Sequence, residues 1–356
     1  MASVAAPVLK APFPYFGGKS RVAGVVWERF GDVPNFVDPF AGSLAVLLNR
    51  PHEPGTETVN DLDGWLCNFW RAVRQDPDRV AAWADWPVSE LDLHARGDWL
   101  FYRADAPAFV ERLRADPDYC DFKSAGWWVW GACGWIGTGW GRKADAPPGV
   151  NRQLPHVGNA GRGVNRQLPH VGDAGRGVNR QLPHVGNAGQ GVNRKLPHVG
   201  NAGRGEEPTK AALRQYMRDL SDRLRRVRVC CGDWQRVTGP SVTTRHGLTA
   251  VFLDPPYGEG AMDYAAGGNA TQVAAAVRSW AVANGTDPLL RIALCGYAGG
   301  VGMPADWEVF EWKARGGYGS QGDGDGRANA ARERVWFSPH CLKPDGGPNL
   351  FTGLEG

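Results

Sequence analysis

Asp254-Pro255-Pro256-Tyr257 carries the strongest chemical signal in this chain. The tetrapeptide follows Leu248-Thr249-Ala250-Val251-Phe252-Leu253, an apolar run bounded by turn formers that predicts a buried strand. A carboxylate, two prolines and an aromatic ring at a strand's carboxyl end make a rigid polar rim over an apolar slot. That rim suits a flat, neutral heterocycle with an exocyclic amine. The carboxylate and a backbone carbonyl accept the amine's protons, and the ring stacks on its face. Pro-Pro after a strand is also an ordinary loop stop, so the reading depends on companions elsewhere.

Two companions lie near the N-terminus, each after a predicted strand. Asn35-Phe36-Val37 runs into Asp38-Pro39-Phe40-Ala41-Gly42-Ser43 and then a helix-like run, Leu44-Ala45-Val46-Leu47-Leu48. Glycine lets a backbone approach a ligand closely, and a helix amino end favours a negative group such as an amino acid's carboxylate. Glu57-Thr58-Val59 runs into Asn60-Asp61-Leu62-Asp63 and a helical run through Trp65, Phe69, Trp70 and Val73. An acidic residue at that point, Asp61, can take both hydroxyls of a ribose. Upstream, Pro14-Tyr15-Phe16-Gly17-Gly18-Lys19 predicts a loop folding over an anion. It is not a P-loop, because the four-residue spacer between glycines is missing.

Successive strand–loop–helix units predict a parallel sheet with ligands at the strands' carboxyl ends. After an interruption at 76–208 the rhythm resumes. Leu213, Tyr216, Met217, Leu220 and Leu224 fall at helical spacing. Arg228-Val229-Cys230-Cys231 reads as a strand ending in Gly232-Asp233-Trp234. Leu290 to Cys295 and Arg334 to Ser338 read as further strands. The expected class is α/β: one sheet built from both ends of the chain, with helices on both faces and an inserted region. The expected organisation is a discontinuous core, 1–75 and 209–345, an insertion at 76–208 and a tail at 346–356.

The insertion contains four copies of a 14-residue unit between 149 and 204, Gly-Val-Asn-Arg-Gln-Leu-Pro-His-Val-Gly-Asn-Ala-Gly-Arg with small changes. Arg152, Arg162, Arg166, Arg176, Arg180, Arg194, Lys195 and Arg204, set against Asp173, give the array +7. Because the whole chain is only +3, the remainder carries −4. The unit is too short and too poor in apolar residues for a helical solenoid, and reads as a basic arm whose arginines attract a phosphate backbone. Its histidines, at 156, 170, 184 and 198, recur with the unit and lack the close spacing of metal ligands. The tryptophan-rich run from Trp127 to Trp140 reads chiefly as buried packing, with base stacking as the lesser alternative.

The chain has 356 residues, 42% hydrophobic and 22% charged, as an ordinary globular α/β protein does. No stretch approaches a membrane span, and no secretory signal opens it. Seven cysteines without paired CxxC spacing point to reduced thiols rather than a disulfide frame or a zinc site. We expect a cytoplasmic protein with no metal.

In this order the motifs resemble the Dam-like DNA adenine-N6 methyltransferases of the group whose target-recognition region lies between cofactor and catalytic motifs. Pro14 to Lys19 looks like that family's N-terminal cofactor motif, Asp38 to Ser43 its glycine-rich motif and Asn60 to Asp63 its acidic ribose motif. Asp254 to Tyr257 matches its catalytic motif, and Arg332-Glu333-Arg334-Val335-Trp336-Phe337-Ser338-Pro339 is similar to phage-borne members. The resemblance implies a Rossmann-like methyltransferase sheet with an inserted target-recognition region, S-adenosylmethionine as donor, double-stranded DNA as partner and a setting such as phage or restriction–modification. It further implies cofactor contacts at Tyr15, Gly18, Lys19, Asp38, Phe40, Gly42, Asp61 and, more weakly, Asp233, and a catalytic set of Asp254, Pro255, Pro256 and Tyr257. One departure stands out. Leu44 occupies a position where the family often has a second glycine, and is expected to narrow the approach beside the cofactor.

Three rivals stand beside this reading: a cytosine-N4 methyltransferase, a protein-glutamine methyltransferase with a similar tetrapeptide, and a catalytically inactive DNA-binding relative. Asp before Pro-Pro-Tyr favours adenine, the large insertion disfavours the glutamine enzyme, and intact Asp254 and Tyr257 disfavour an inactive relative.

Overall fold

A computed structural model describes residues 9–15, 19–102, 106–134, 210–256, 270–297, 302–312 and 333–344. Its centre is a seven-stranded sheet: β1 (Asn35–Asp38), β2 (Thr56–Asp61), β3 (Val227–Cys231), β4 (Thr249–Leu253), β5 (Leu290–Tyr297), β6 (Glu308–Glu311) and β7 (Glu333–Phe337). The spatial order is β3-β2-β1-β4-β5-β7-β6. β1 to β5 run parallel, and β7 enters antiparallel between β5 and β6. The chain reverses its direction of travel across the sheet between β1 and β4. This is the switch point where open α/β sheets bind ligands.

Burial follows this order. β1 and β4 are buried along their whole length, as strands covered on both faces must be. β7 alternates buried and half-buried residues, and the edge strand β6 is largely exposed. One face packs against α1 (Ala23–Phe30), α2 (Ala45–Leu48), α3 (Gly64–Gln75), α4 (Pro77–Ala84), α7 (Phe122–Gly134) and α8 (Lys210–Leu224), in a cluster that includes Phe36, Val59, Ala250, Phe252, Cys295, Val335 and Phe337. α5 (Glu90–Phe101) adds Leu93 and Leu100 to that cluster, and α6 (Ala106–Ala115) follows in the chain. The opposite face packs Val37, Val251, Leu253, Ile292 and Leu294 against α9 (Ala270–Asn284), Trp307 and a short 3₁₀ helix at Trp234–Val237. Alternate residues of each strand thus serve opposite layers.

Helix starts follow local rules. Asp63 caps α3 by accepting from Trp65 N–H and Leu66 N–H, Asp76 caps α4 with Pro77 at its first position, and Ser89 caps α5. In α8 the five residues expected at helical spacing, Leu213, Tyr216, Met217, Leu220 and Leu224, are its buried set. Within the tryptophan-rich run, Trp128 and Trp130 are buried on α7, as the packing reading expected, and Trp127 is half-buried.

A buried ion cluster joins the two ends of the chain. Glu57 on β2 takes two hydrogen bonds from Arg223 of α8, at 2.7 and 2.9 Å, and lies 3.3 Å from Arg50. Arg223 also reaches Leu47 O and Arg50 reaches Val33 O, so the guanidiniums are anchored on the backbone around the carboxylate.

Candidate active site

Strand periodicity assembles the site. Phe36 and Asp38, Val59 and Asp61, and Ala250 and Phe252 share the face covered by α1, α3 and α8. Asp254 continues that parity one residue beyond β4. The carboxylates of Asp38, Asp61 and Asp254 therefore gather at the carboxyl ends of three adjacent strands. Lys19, just before α1, points back among them. Its Nζ is 2.9 Å from Asp254 Oδ2, and its side chain is only 4% exposed.

Each motif is held by backbone hydrogen bonds. Asp38 Oδ1 accepts from Phe40 N–H at 3.2 Å. Asp61 accepts from Gly42 N–H at 3.0 Å with one oxygen and from Asp63 N–H at 3.0 Å with the other. It thereby ties the glycine turn to the acidic turn, and lone pairs remain on both oxygens. Asn60 of β2 donates to Pro39 O and Gly232 O, linking that strand to the loops after β1 and β3. Phe40 stacks on Trp234, which follows β3.

Gly42 has φ +47°, and a Cβ there would stand 2.7 Å from the Tyr15 ring. The glycine is required twice, for its backbone and for the approach of Tyr15. The Leu44 side chain is fully buried in the main cluster. Its backbone adopts φ 58°, a left-handed conformation that costs a non-glycine residue about 1–2 kcal/mol.

The electrostatics are those of crowded carboxylates with one buried ammonium among them. Burial, then the charge of Asp254, pushes Asp38 well above the usual carboxylate range, and Asp61 and Lys19 also act on it. Burial raises Asp61 too, opposed by its backbone donors. Burial and the neighbouring Asp61 push Asp63 up to about 6. Glu333, at the start of β7, is pushed up to about 7 by burial, with Lys19 lowering and Asp254 raising it. Three acids around Lys19, namely Asp38, Asp254 and Glu333, favour a ligand that brings positive charge.

Residues 15–93 match the sequence model of the D12 class N6 adenine-specific DNA methyltransferases. Over that span the chain is similar to that family. No curated protein matches it. The matched span holds Tyr15, Lys19, Asp38, Phe40, Gly42 and Asp61, the half of the site that the chain's first two strand–loop–helix units build. The match supports an adenine-specific DNA methyltransferase, an activity that works on DNA and implies a methyl donor.

Placement of the expected residues divides into groups. Lys19, Asp38, Asp61 and Asp254 converge, and Tyr15 meets Gly42. Pro255 and Pro256 follow as buried residues. Asp233 is exposed and caps the short helix after β3 through Gln235 N–H. Gly18, Tyr257 and the repeat residues Arg152, Arg162, Arg166, Arg176, Arg180, Arg194, Lys195 and Arg204 lie outside the described residues. Asp63 and Glu333 were quoted only as parts of motifs, and the structure adds both to the electrostatic cluster. Alternation along Glu333, Val335 and Phe337 was the available signal for the second. Among the described residues no group of three or more His, Cys, Asp or Glu is arranged to hold a metal, and no helix is long and apolar enough to cross a membrane.

Proposed function

We propose that this enzyme transfers a methyl group from S-adenosylmethionine to N6 of an adenine everted from duplex DNA. The observation that carries the reading is the Lys19–Asp254 pair at the sheet's switch point, with Asp38 and Asp61 beside it. The donor fits the residues present. Its sulfonium and ammonium answer the excess of carboxylates, and the Gly42 turn leaves a cradle that a Cβ would fill. When bound, S-adenosylmethionine supplies an electrophilic methyl group. Asp61, and Asp233 more weakly, would hold the ribose side. Asp38, Phe40 and Gly42 would line the methionine side, and Tyr15 and Gly18 would close over it.

Adenine's amine is a poor nucleophile, because its lone pair is delocalised into the ring. Asp254 and the Pro255 carbonyl accept hydrogen bonds from its two N–H groups, which draws nitrogen toward a tetrahedral shape and frees the lone pair; the one proton that methylation makes surplus leaves through Asp254 to water. Pro256 stiffens the rim and Tyr257 stacks on the base. Fixed acceptors and in-line placement then do most of the catalytic work. Inside a duplex the amine is out of reach, so the base must leave the stack. Lys19 offsets repulsion between Asp254 and its acidic neighbours while the pocket waits for its base.

We assign target recognition to part of the 76–208 insertion, although α4 and α7 within it pack into the main core. The basic repeats are its phosphate-attracting arm, and a cytoplasmic site of action goes with that role. Deleting 149–204 should flatten the salt dependence of DNA affinity, since each lost phosphate contact removes about 0.9 from the log–log slope. The test of the whole is labelled donor with duplex DNA and nucleoside analysis. N6-methyladenine should form, and Asp254→Ala should abolish it while DNA affinity stays within a few-fold. N4-methylcytosine as product, or full activity in that variant, would refute the assignment.

A further inference from the structure

Glu333 is a buried carboxylate that the mechanism above does not use. Its register places it at the site. β7 pairs antiparallel with β5 so that Cys295 lies opposite Val335 and Tyr297 opposite Glu333. The start of β7 therefore stands at the carboxyl ends of β4 and β5. Glu333 shares the parity of Val335 and Phe337, which pack on the same face as Ala250 and Phe252 and as α1. The carboxylate is 6% exposed, and its Oε2 has no hydrogen-bond partner among the described residues. Lys19 and Asp254 both act on it electrostatically. A buried acceptor without a donor, facing an ammonium that is committed to another carboxylate, needs a reason.

We propose that Glu333 is a positioning residue, a second acceptor for the Lys19 ammonium that releases Asp254 for the substrate amine. The idea rests on the adenine-N6 reading above. Lys19 holds Asp254 Oδ2 at 2.9 Å. The amine needs that carboxylate's lone pairs. On its arrival Lys19 turns part of its hydrogen bonding to Glu333 Oε2, and no charge is left unpaired. Only ionised Glu333 draws an ammonium away from a carboxylate, since charge-assisted bonds are roughly twice as strong as neutral ones. Because burial pushes Glu333 up to about 7, its active form appears as pH rises through neutrality. Among the described residues, the groups that act on this one or lie opposite it are Lys19 before α1, Asp254 after β4, and Cys295 and Tyr297 on β5. Arg334 beside it is engaged with Glu311 of β6.

The experiment is single-turnover methyl transfer from labelled S-adenosylmethionine to duplex DNA grown without adenine methylation, from pH 6 to 9, with enzyme in excess. The wild-type rate should rise through about pH 7. Glu333→Gln should be slower at pH 8 by about tenfold, the worth of one charge-assisted bond, and should lose the rise. Its affinities for donor and DNA should stay within about twofold, since the charge acts in the chemical step. A flat wild-type profile overturns the proposal whether or not the variant folds. So does a Glu333→Gln enzyme that keeps the wild-type rate and rise, or one that is slower by the same factor at every pH. Asp254→Ala, run in parallel, separates the two claims. If it is inactive while Glu333→Gln matches wild type, only the role of Glu333 falls. If Asp254→Ala is fully active, the catalytic reading itself falls.

Discussion

Lys19 Nζ touches Asp254 Oδ2 at 2.9 Å, although the two residues come from opposite ends of the chain. The contact joins the N-terminal cofactor motif to the catalytic motif, and it sets the ammonium among Asp38, Asp254 and Glu333. Lys19→Met should therefore slow single-turnover methyl transfer by about a hundredfold, the usual cost of removing one preorganised donor. DNA affinity, measured by anisotropy, should change little. An unchanged rate would separate the pair from catalysis.

Gly42 and Tyr15 compete for one volume. Gly42→Ala should destabilise the fold through its left-handed backbone, by about 1–2 kcal/mol, and through the clash with the ring at 2.7 Å. The clash is removable. In a Tyr15→Ala background the same substitution should cost less, with a coupling of about 0.5–3 kcal/mol in urea unfolding. Strict additivity would show that the ring yields freely.

Leu44 sets strain against burial. Glycine there relieves about 1–2 kcal/mol of left-handed strain but removes a side chain from the core, a loss of about 2.7–5 kcal/mol. Leu44→Gly should be net destabilised by about 1–4 kcal/mol on those two ranges. A more stable variant would mean that the side chain contributes far less than its burial implies.

Glu57 should be among the costliest carboxylates to remove. Glu57→Ala leaves Arg50 and Arg223 facing an empty, buried position, a change worth about 3–5 kcal/mol. Denaturant unfolding measures it directly. A loss below about 1 kcal/mol would place the pair in the class of surface ion pairs.

Glu333 and Asp63 should make stability fall as pH rises. Both are raised, to about 7 and about 6, above their ordinary values of 4.5 and 3.8. Between those limits the folded state binds more protons than the unfolded chain, so the stabilisation present below about pH 4 is lost by about pH 7. Melting temperatures of wild type and Glu333→Gln across that range give the check. The variant should lose less, and parallel curves would contradict the raised value.

Much of the fold was legible because strands and helices leave periodic apolar traces. The six strands read from the sequence, and the α8 stripe from Leu213 to Leu224, follow from local pattern. β6 escaped because an exposed edge strand of four residues, Glu308 to Glu311, leaves no apolar run. The packing of α4 and α7 into the main core also escaped, since a break in strand–helix rhythm marks an insertion without saying what it lies against.

The sequence alone determined the chemistry on offer: acid-rich turns after strands, a glycine turn, a lysine after two glycines, and Asp-Pro-Pro-Tyr. Those are properties of residue type and local spacing, and they do not depend on how the chain closes. Only the tertiary structure decided which acids share Lys19, that Glu333 joins them from the antiparallel strand, and that Leu44 turns into the core. Such outcomes depend on strand order and register. They set which side chains meet at one end of the sheet and how much water each carboxylate keeps, and no local pattern encodes either.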